Sequence, residues 1–189
     1  MSFEFDLNII CPDDPTASPQ RVEQYKEYYK IKYKICKEFN PCVIAEIGVR
    51  AGYSAWSFLQ ACPTAKYIGI DADNGKHGGF GGEDGTFSKW AKKILEPYQC
   101  QFLKIDTQKT DNLGITNVDM FHIDGDHTAE GVQHDLDLAF TSLNDNGVIV
   151  VDDIDYIPPV KEGVSKWLSK TQLEFKYIES LRGEFIIFK

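Results

Sequence analysis

The stretch GVIVVDD, residues 147–153, decides the fold. Val148, Ile149, Val150 and Val151 are apolar and β-branched without a break. Successive side chains of a strand point to opposite faces, so this run needs a sheet covered on both sides. Similar segments lie upstream: CVIAEIG (42–48), KYIGID (66–71), QFLKID (101–106) and VDMFHID (118–124). Helical stretches separate them: GYSAWSFLQAC (52–62), TFSKWAKKIL (86–95), and a segment with Val132, Leu136, Ala139 and Leu143 on one face. PPVKEGVSKWL (158–168) predicts a further helix, and QLEFKYIE, SLRG and EFIIFK (172–189) a closing β-hairpin. Near the start, Ser18 reads as a helix cap and Pro19 as the first helical residue. Val22, Tyr25, Tyr29, Ile35, Cys36 and Phe39 then recur at helical spacing, with Lys26, Lys30, Lys34 and Lys37 as a solvated face. Strands alternating with helices predict an α/β, Rossmann-like doubly wound, mostly parallel sheet with a C-terminal antiparallel hairpin. One domain is expected over 1–189: an N-terminal segment and helix (1–40), a core (41–155), and a C-terminal helix and hairpin (156–189).

The 189 residues suit one core, and 42% hydrophobic with 26% charged residues is ordinary for a soluble globular chain. The net charge of −9 would be repelled by phosphate backbones, so nucleic acid is a poor partner. The start, MSFEFDLN, lacks a basic region followed by an apolar one, and no apolar run could span a bilayer. The five cysteines are scattered without a CxxC pair, which fits reduced thiols and a cytoplasmic setting. Oligomeric state stays open, a homodimer being among the arrangements allowed.

In such folds ligands bind beyond the carboxyl ends of the strands. Here every one of those ends carries acid: Glu46, Asp71, Asp106, Asp124, and the pair Asp152–Asp153. The turn after the first strand, EIGVRAGYS, places Gly48 and Gly52 where the backbone can approach a ligand at a helix N-terminus. Its GxxxG spacing differs from the dinucleotide fingerprint GxGxxG, and no Walker loop is present. Glu46 beside the turn would repel a pyrophosphate and attract an ammonium, while Asp71 suits ribose hydroxyls. A ligand with an ammonium, a carboxylate and a ribose is S-adenosylmethionine.

EIGVRAGYSA, YIGID and KIDTQK together resemble the cofactor motifs of class I S-adenosylmethionine-dependent methyltransferases. The likeness spans roughly residues 41–155 and is greatest to small metal-dependent O-methyltransferases, of the catechol O-methyltransferase type and the sugar enzymes related to macrocin O-methyltransferase. It implies that Glu46, Gly48, Tyr53 and Ser54 hold the methionine end and that Asp71 takes the ribose. Asp106, Thr107 and Gln108 would then lie near adenine, and Asp124 would serve cofactor and metal alike.

Asp124, Asp152 and Asp153 end two strands expected to be neighbours. Carboxylates gathered there would repel one another, and Mg2+ or another divalent cation with oxygen ligands would resolve this. Asp152 and Asp153 would face opposite sides of a regular strand, so both reach one ion only if the chain turns there. In the metal-dependent relatives the matching three positions hold the ion. The third is often Asn in the catechol type and Asp in the sugar type, so Asp153 leans toward the latter. His127 stands where catechol-type enzymes carry a lysine base and some sugar enzymes a histidine. Asp126 is its rival for taking the proton, and a helix-cap neighbour is the plainer role for His127. His122 alternates with Met120 and Asp124 and reads as a core histidine; His134 reads as solvent-facing. The loop GKHGGFGGEDG, from Gly75, reads equally as a surface insertion or a lid.

These features predict an O-methyltransferase acting on a small-molecule hydroxyl, of a sugar or a catechol-like diol. The alternatives are a metal-independent small-molecule methyltransferase, a nucleotide-dependent oxidoreductase, and a binding protein that keeps only the pocket.

Overall fold

The computed structural model describes residues 3–16, 19–74 and 85–189. The chain runs through α1 (Pro19–Phe39), β1 (Val43–Ile47), α2 (Tyr53–Ala61), β2 (Lys66–Asp71), α3 (Thr86–Ile94) and β3 (Cys100–Lys104). It continues with β4 (Val118–Ile123), α4 (Ala129–Ser142), β5 (Leu143–Val151), α5 (Pro158–Thr171), β6 (Phe175–Ile178) and β7 (Glu184–Phe188). The expected cap Ser18 and the glycine-rich segment 75–84 lie outside the described residues. So does the question of a lid.

The sheet order is β3-β2-β1-β4-β5-β7-β6. The first five strands pair in parallel, and β7 pairs antiparallel with both β5 and β6. The hairpin folds back so that its second strand, β7, lies against β5 and its first forms the edge. β5 shows why the sheet is covered twice. Val148 and Val150 are buried with Tyr25, Tyr28 and Phe58 on the α1–α2 side, whereas Ile149 and Val151 are buried with Leu136, Val164 and Trp167 on the α4–α5 side. Burying these branched side chains contributes on the order of 2 kcal/mol each. Leu143, expected on the α4 face, instead opens β5, which begins ahead of Gly147.

Strand order reverses between β1 and β4, the switch point where doubly wound sheets open a crevice. There the chains converge. Asp124 N–H donates to the Ile47 carbonyl at 2.9 Å. Gly48 has φ +88°, and a Cβ on it would lie 1.9 Å from the Asp124 carbonyl oxygen. Only glycine fits, on conformational and steric grounds together.

Candidate active site

A cavity of about 500 Å³ opens over the carboxyl ends of β1, β2, β4 and β5, within the size range of small-molecule sites. Gly48, Gly52, Tyr53, Ser54, Asp71, Thr107, Asp124, Asp126, His127 and Asp153 all contribute to its wall. Gly52 adopts φ 81° and starts α2, aiming that helix's first N–H groups at the cavity. Asp71 is held by the loops around it: its carboxylate accepts from Arg50 N at 2.9 Å and Asp73 N at 2.7 Å. The Tyr53 hydroxyl is engaged with the N-terminal segment, accepting from Cys11 N at 2.7 Å and donating to Asp14 at 3.2 Å. Arg50 binds the same Asp14 through both terminal nitrogens, at 2.9 and 2.7 Å, and its guanidinium lies over the Phe87 ring.

Three expected cofactor residues stand elsewhere. Glu46 does not line the cavity; it lies beneath it, 1% exposed, with its carboxylate 2.8 Å from His122 Nδ1 and accepting from the Tyr67 hydroxyl. Its alternation with Ile44 sends it into the α1–α2 side of the core. Gln108 faces α4, donating to Asp135 at 3.0 Å and to the Gly131 carbonyl at 3.4 Å. Asp106 pairs with Lys109 at 2.6 Å and is likewise not in the cavity wall. His122 is the buried core histidine the sequence suggests. His134, by contrast, is not simply solvent-facing: its Nε2 lies 3.0 and 2.9 Å from the Thr107 and Thr110 carbonyls.

The acid pair separates. Asp153 has φ 62°, a left-handed conformation that aspartate adopts more readily than most residues, and it lines the cavity. Asp152 points the other way, into the core. There it meets Lys32 at 2.8 Å and accepts from the Tyr28 hydroxyl and from Asp153 N. Lys32 also binds Glu184 at 2.9 Å, and none of these three side chains has any exposure. Burial alone would raise the Asp152 carboxyl, but the Lys32 charge dominates and holds it down at about 2. The expected trio Asp124, Asp152 and Asp153 therefore does not meet around one point. The group that does is Asp124, His127 and Asp153, whose ligand atoms lie within 4.8 Å of one another.

His127 Nε2 is 3.5 Å from Asp124 Oδ1 and 3.6 Å from Asp153 Oδ2. Burial opposes a charge on the imidazole, but Asp124 and then Asp153 outweigh it and raise its pKa. Burial, then the neighbouring Asp124 and Asp152 charges, push the Asp153 carboxyl up to about 7. Its Oδ1 accepts from Arg182 at 3.1 Å, while its buried Oδ2 has no hydrogen-bond partner among the described residues. Asp126 is drawn into capping: its Oδ1 accepts from Thr128 N at 2.8 Å and from the Thr128 hydroxyl. Sequence reasoning missed Tyr28, Lys32 and Arg182. Tyr28 and Lys32 lie on the buried face of α1 with Tyr25, Tyr29, Ile35 and Cys36, so helical spacing could have found them; Arg182 reaches the site only because β7 lies beside β5.

Residues 45–154 match the methyltransferase-domain family, and the chain belongs to it. It is an S-adenosylmethionine-dependent methyltransferase of class I, Rossmann-like fold. The fold is similar to that of the O-methyltransferase NovP, at 17% identity and TM-score 0.68, covering 86% of this chain and 79% of that one. A structure described as a caffeoyl-CoA O-methyltransferase from Staphylococcus aureus aligns at 17% identity and TM-score 0.65, over 86% and 82% of the two chains. An O-methyltransferase from Bacillus cereus in complex with SAH aligns at 15% identity and TM-score 0.64, over 96% and 85%. No curated protein matches the sequence. Among the described residues no helix is long and apolar enough to cross a membrane.

Proposed function

We propose that the protein methylates a hydroxyl oxygen of a small molecule with the help of a divalent cation. The observation that carries this reading is the buried Asp153 Oδ2, which accepts no hydrogen bond among the described residues and stands beside Asp124 and His127 in the wall of the cavity that Gly48, Ser54 and Asp71 also line. The residues fit a hard cation: two carboxylates offer oxygens, and burial with the neighbouring Asp124 and Asp152 charges pushes the Asp153 carboxyl up to about 7 even beside Arg182. Asp124 and Asp153 would hold the ion, which when bound lowers the pKa of an acceptor hydroxyl. His127 takes the proton, at Nε2. It faces both carboxylates, whereas the Asp126 carboxylate is engaged at the cap of α4. Ser54 and the N–H groups at the start of α2 hold the methionine carboxylate, Asp71 the ribose, and Thr107 stands at the adenine end. The fold aligns the acceptor oxygen with the sulfonium, so rate comes mainly from orientation. The structural relatives with O-methyltransferase in their names support oxygen as the acceptor. The acceptor is a vicinal diol of a sugar or catechol kind, and the setting cytoplasmic.

A second reading has one observation in its favour. Arg182 already sets a positive charge against Asp153, as metal-free chemistry would require. Methyl transfer to sugar nucleotides and catechols, followed by mass spectrometry with Mg2+ and with EDTA, separates the two. Activity unchanged by EDTA would sink the metal-assisted reading, and a protein that fails to bind S-adenosylhomocysteine by calorimetry would sink the assigned cofactor site.

A further inference from the structure

Arg182 occupies the turn between β6 and β7, and that turn is built to hold it still. Asp155 N donates to the Arg182 carbonyl at 2.7 Å, and Ile154 N to the Gly183 carbonyl at 3.1 Å. The Ser180 hydroxyl accepts from Gly183 N at 2.9 Å. Gly183 has φ +72°, and a Cβ there would lie 2.5 Å from Asp155 Oδ2, so the turn closes tightly on the segment after Asp153. The guanidinium emerges between two rings, 5.1 Å from the centroid of Tyr28 and 5.1 Å from that of Tyr156. Tyr156 is 56% exposed, so its ring is accessible from the cavity it lines.

Of the Arg182 side chain, only Nη1 makes a hydrogen bond among the described residues, to Asp153 Oδ1. Arginine carries five N–H donors in a planar fork. Arg182 lines the cavity together with Tyr156 and His127. Position sets the scale. Arg182 and His127 address the two oxygens of one carboxylate: Nη1 reaches Oδ1 at 3.1 Å and Nε2 lies 3.6 Å from Oδ2. A group bound by Arg182 and a hydroxyl addressed by His127 are therefore neighbours on one small molecule.

We propose that Arg182 is a specificity-determining residue that binds an anionic substituent, a carboxylate or phosphate, next to the methylated hydroxyl, with Tyr156 stacking on the acceptor's ring. This rests on the reading of the cavity as a methyl-acceptor site. A planar fork suits either anion by paired hydrogen bonds, and the flanking rings hold it oriented without consuming its donors. Tyr28 braces one side because its hydroxyl is tied to Asp152. Neutral diols fill the same space but leave the fork unanswered.

The test uses the full chain saturated with S-adenosylhomocysteine, whose own binding is measured first by calorimetry. Benzoate, phenyl phosphate and benzyl alcohol are then titrated and followed by NMR. The expected result is that at least one anion binds roughly tenfold tighter than benzyl alcohol. In Arg182→Met that preference is lost while S-adenosylhomocysteine affinity stays the same. If the Met variant is poorly folded, Arg182→Gln serves in its place. Equal binding of the three probes by the unaltered protein, or a preference that survives in both variants, overturns the proposal. Failure of S-adenosylhomocysteine to bind at all is a different outcome, and counts against the cofactor site. Phenyl phosphate binding above benzoate would mark a phosphorylated acceptor, and the reverse order a carboxylic acid.

Discussion

Lys32 of α1 and Asp152 at the end of β5 form an ion pair at 2.8 Å, with neither side chain exposed. Glu184 of β7 completes it from the other side, and the Tyr28 hydroxyl donates to Asp152. One buried cation thus joins the first helix, the central sheet and the closing hairpin, and it fixes which way Asp152 points. Removing it leaves two buried carboxylates without a counter-charge. Lys32→Met is expected to lower stability by about 3–5 kcal/mol, read from urea denaturation. A loss under about 1 kcal/mol would mean that the triad is solvated.

Gly48 answers to two constraints, a positive φ and the Asp124 carbonyl that a Cβ would strike. Gly48→Ala is expected to cost on the order of 2–5 kcal/mol, since backbone strain and steric overlap add. It would also weaken S-adenosylhomocysteine binding, because the turn carries the first N–H groups of α2. Thermal unfolding and calorimetry on the same variant check both effects.

The divergence of Asp152 and Asp153 makes a sharp prediction for metal binding. Asp124→Asn and Asp153→Asn are each expected to weaken Mn2+ binding by at least roughly tenfold, measured by water-proton relaxation. Asp152→Asn leaves it nearly unchanged, because that carboxylate is committed to Lys32 and Tyr28. Equal loss in all three variants would restore the carboxylate trio.

Asp135 offers a pH test away from the acid cluster. It is wholly buried on α4, accepting from Gln108 at 3.0 Å and from Asp126 N at 3.3 Å, and burial pushes its carboxyl up to about 6. A carboxyl raised on folding contributes stability that is present below its unfolded pKa of about 4 and lost as pH rises through about 6. Relative to Asp135→Asn, the unaltered protein should lose at most about 3 kcal/mol between about pH 4 and pH 7. Urea unfolding of both proteins across that range decides it, and a constant difference would contradict the shift.

The doubly wound sheet was legible because Val148–Val151 admit no other environment and because strands and helices alternate around them. The hairpin was legible from its turn, but not that β7 would lie next to β5. Two site residues could have been placed better from periodicity alone. Glu46 alternates with Ile44 and so enters the core, and the two-face rule already set Asp152 against Asp153. What could not be read is long-range: Lys32 lies 120 positions from Asp152 yet binds it, and Arg182 lies 29 from Asp153 and does the same. The φ of 62° at Asp153 is also invisible in the sequence, since it is imposed by the turn packed against it.

The place of β7 in the sheet also sets an order of events during synthesis. A chain emerging N-terminus first presents Lys32, then Asp124, Asp152 and Asp153, while Glu184 and Arg182 are still unmade. Until the hairpin folds back, the buried lysine lacks one of its acids and Asp153 lacks its arginine. Any interruption upstream of residue 182 therefore yields a product that keeps Gly48 and Gly52 but lacks Arg182 and the strand that pairs with β5.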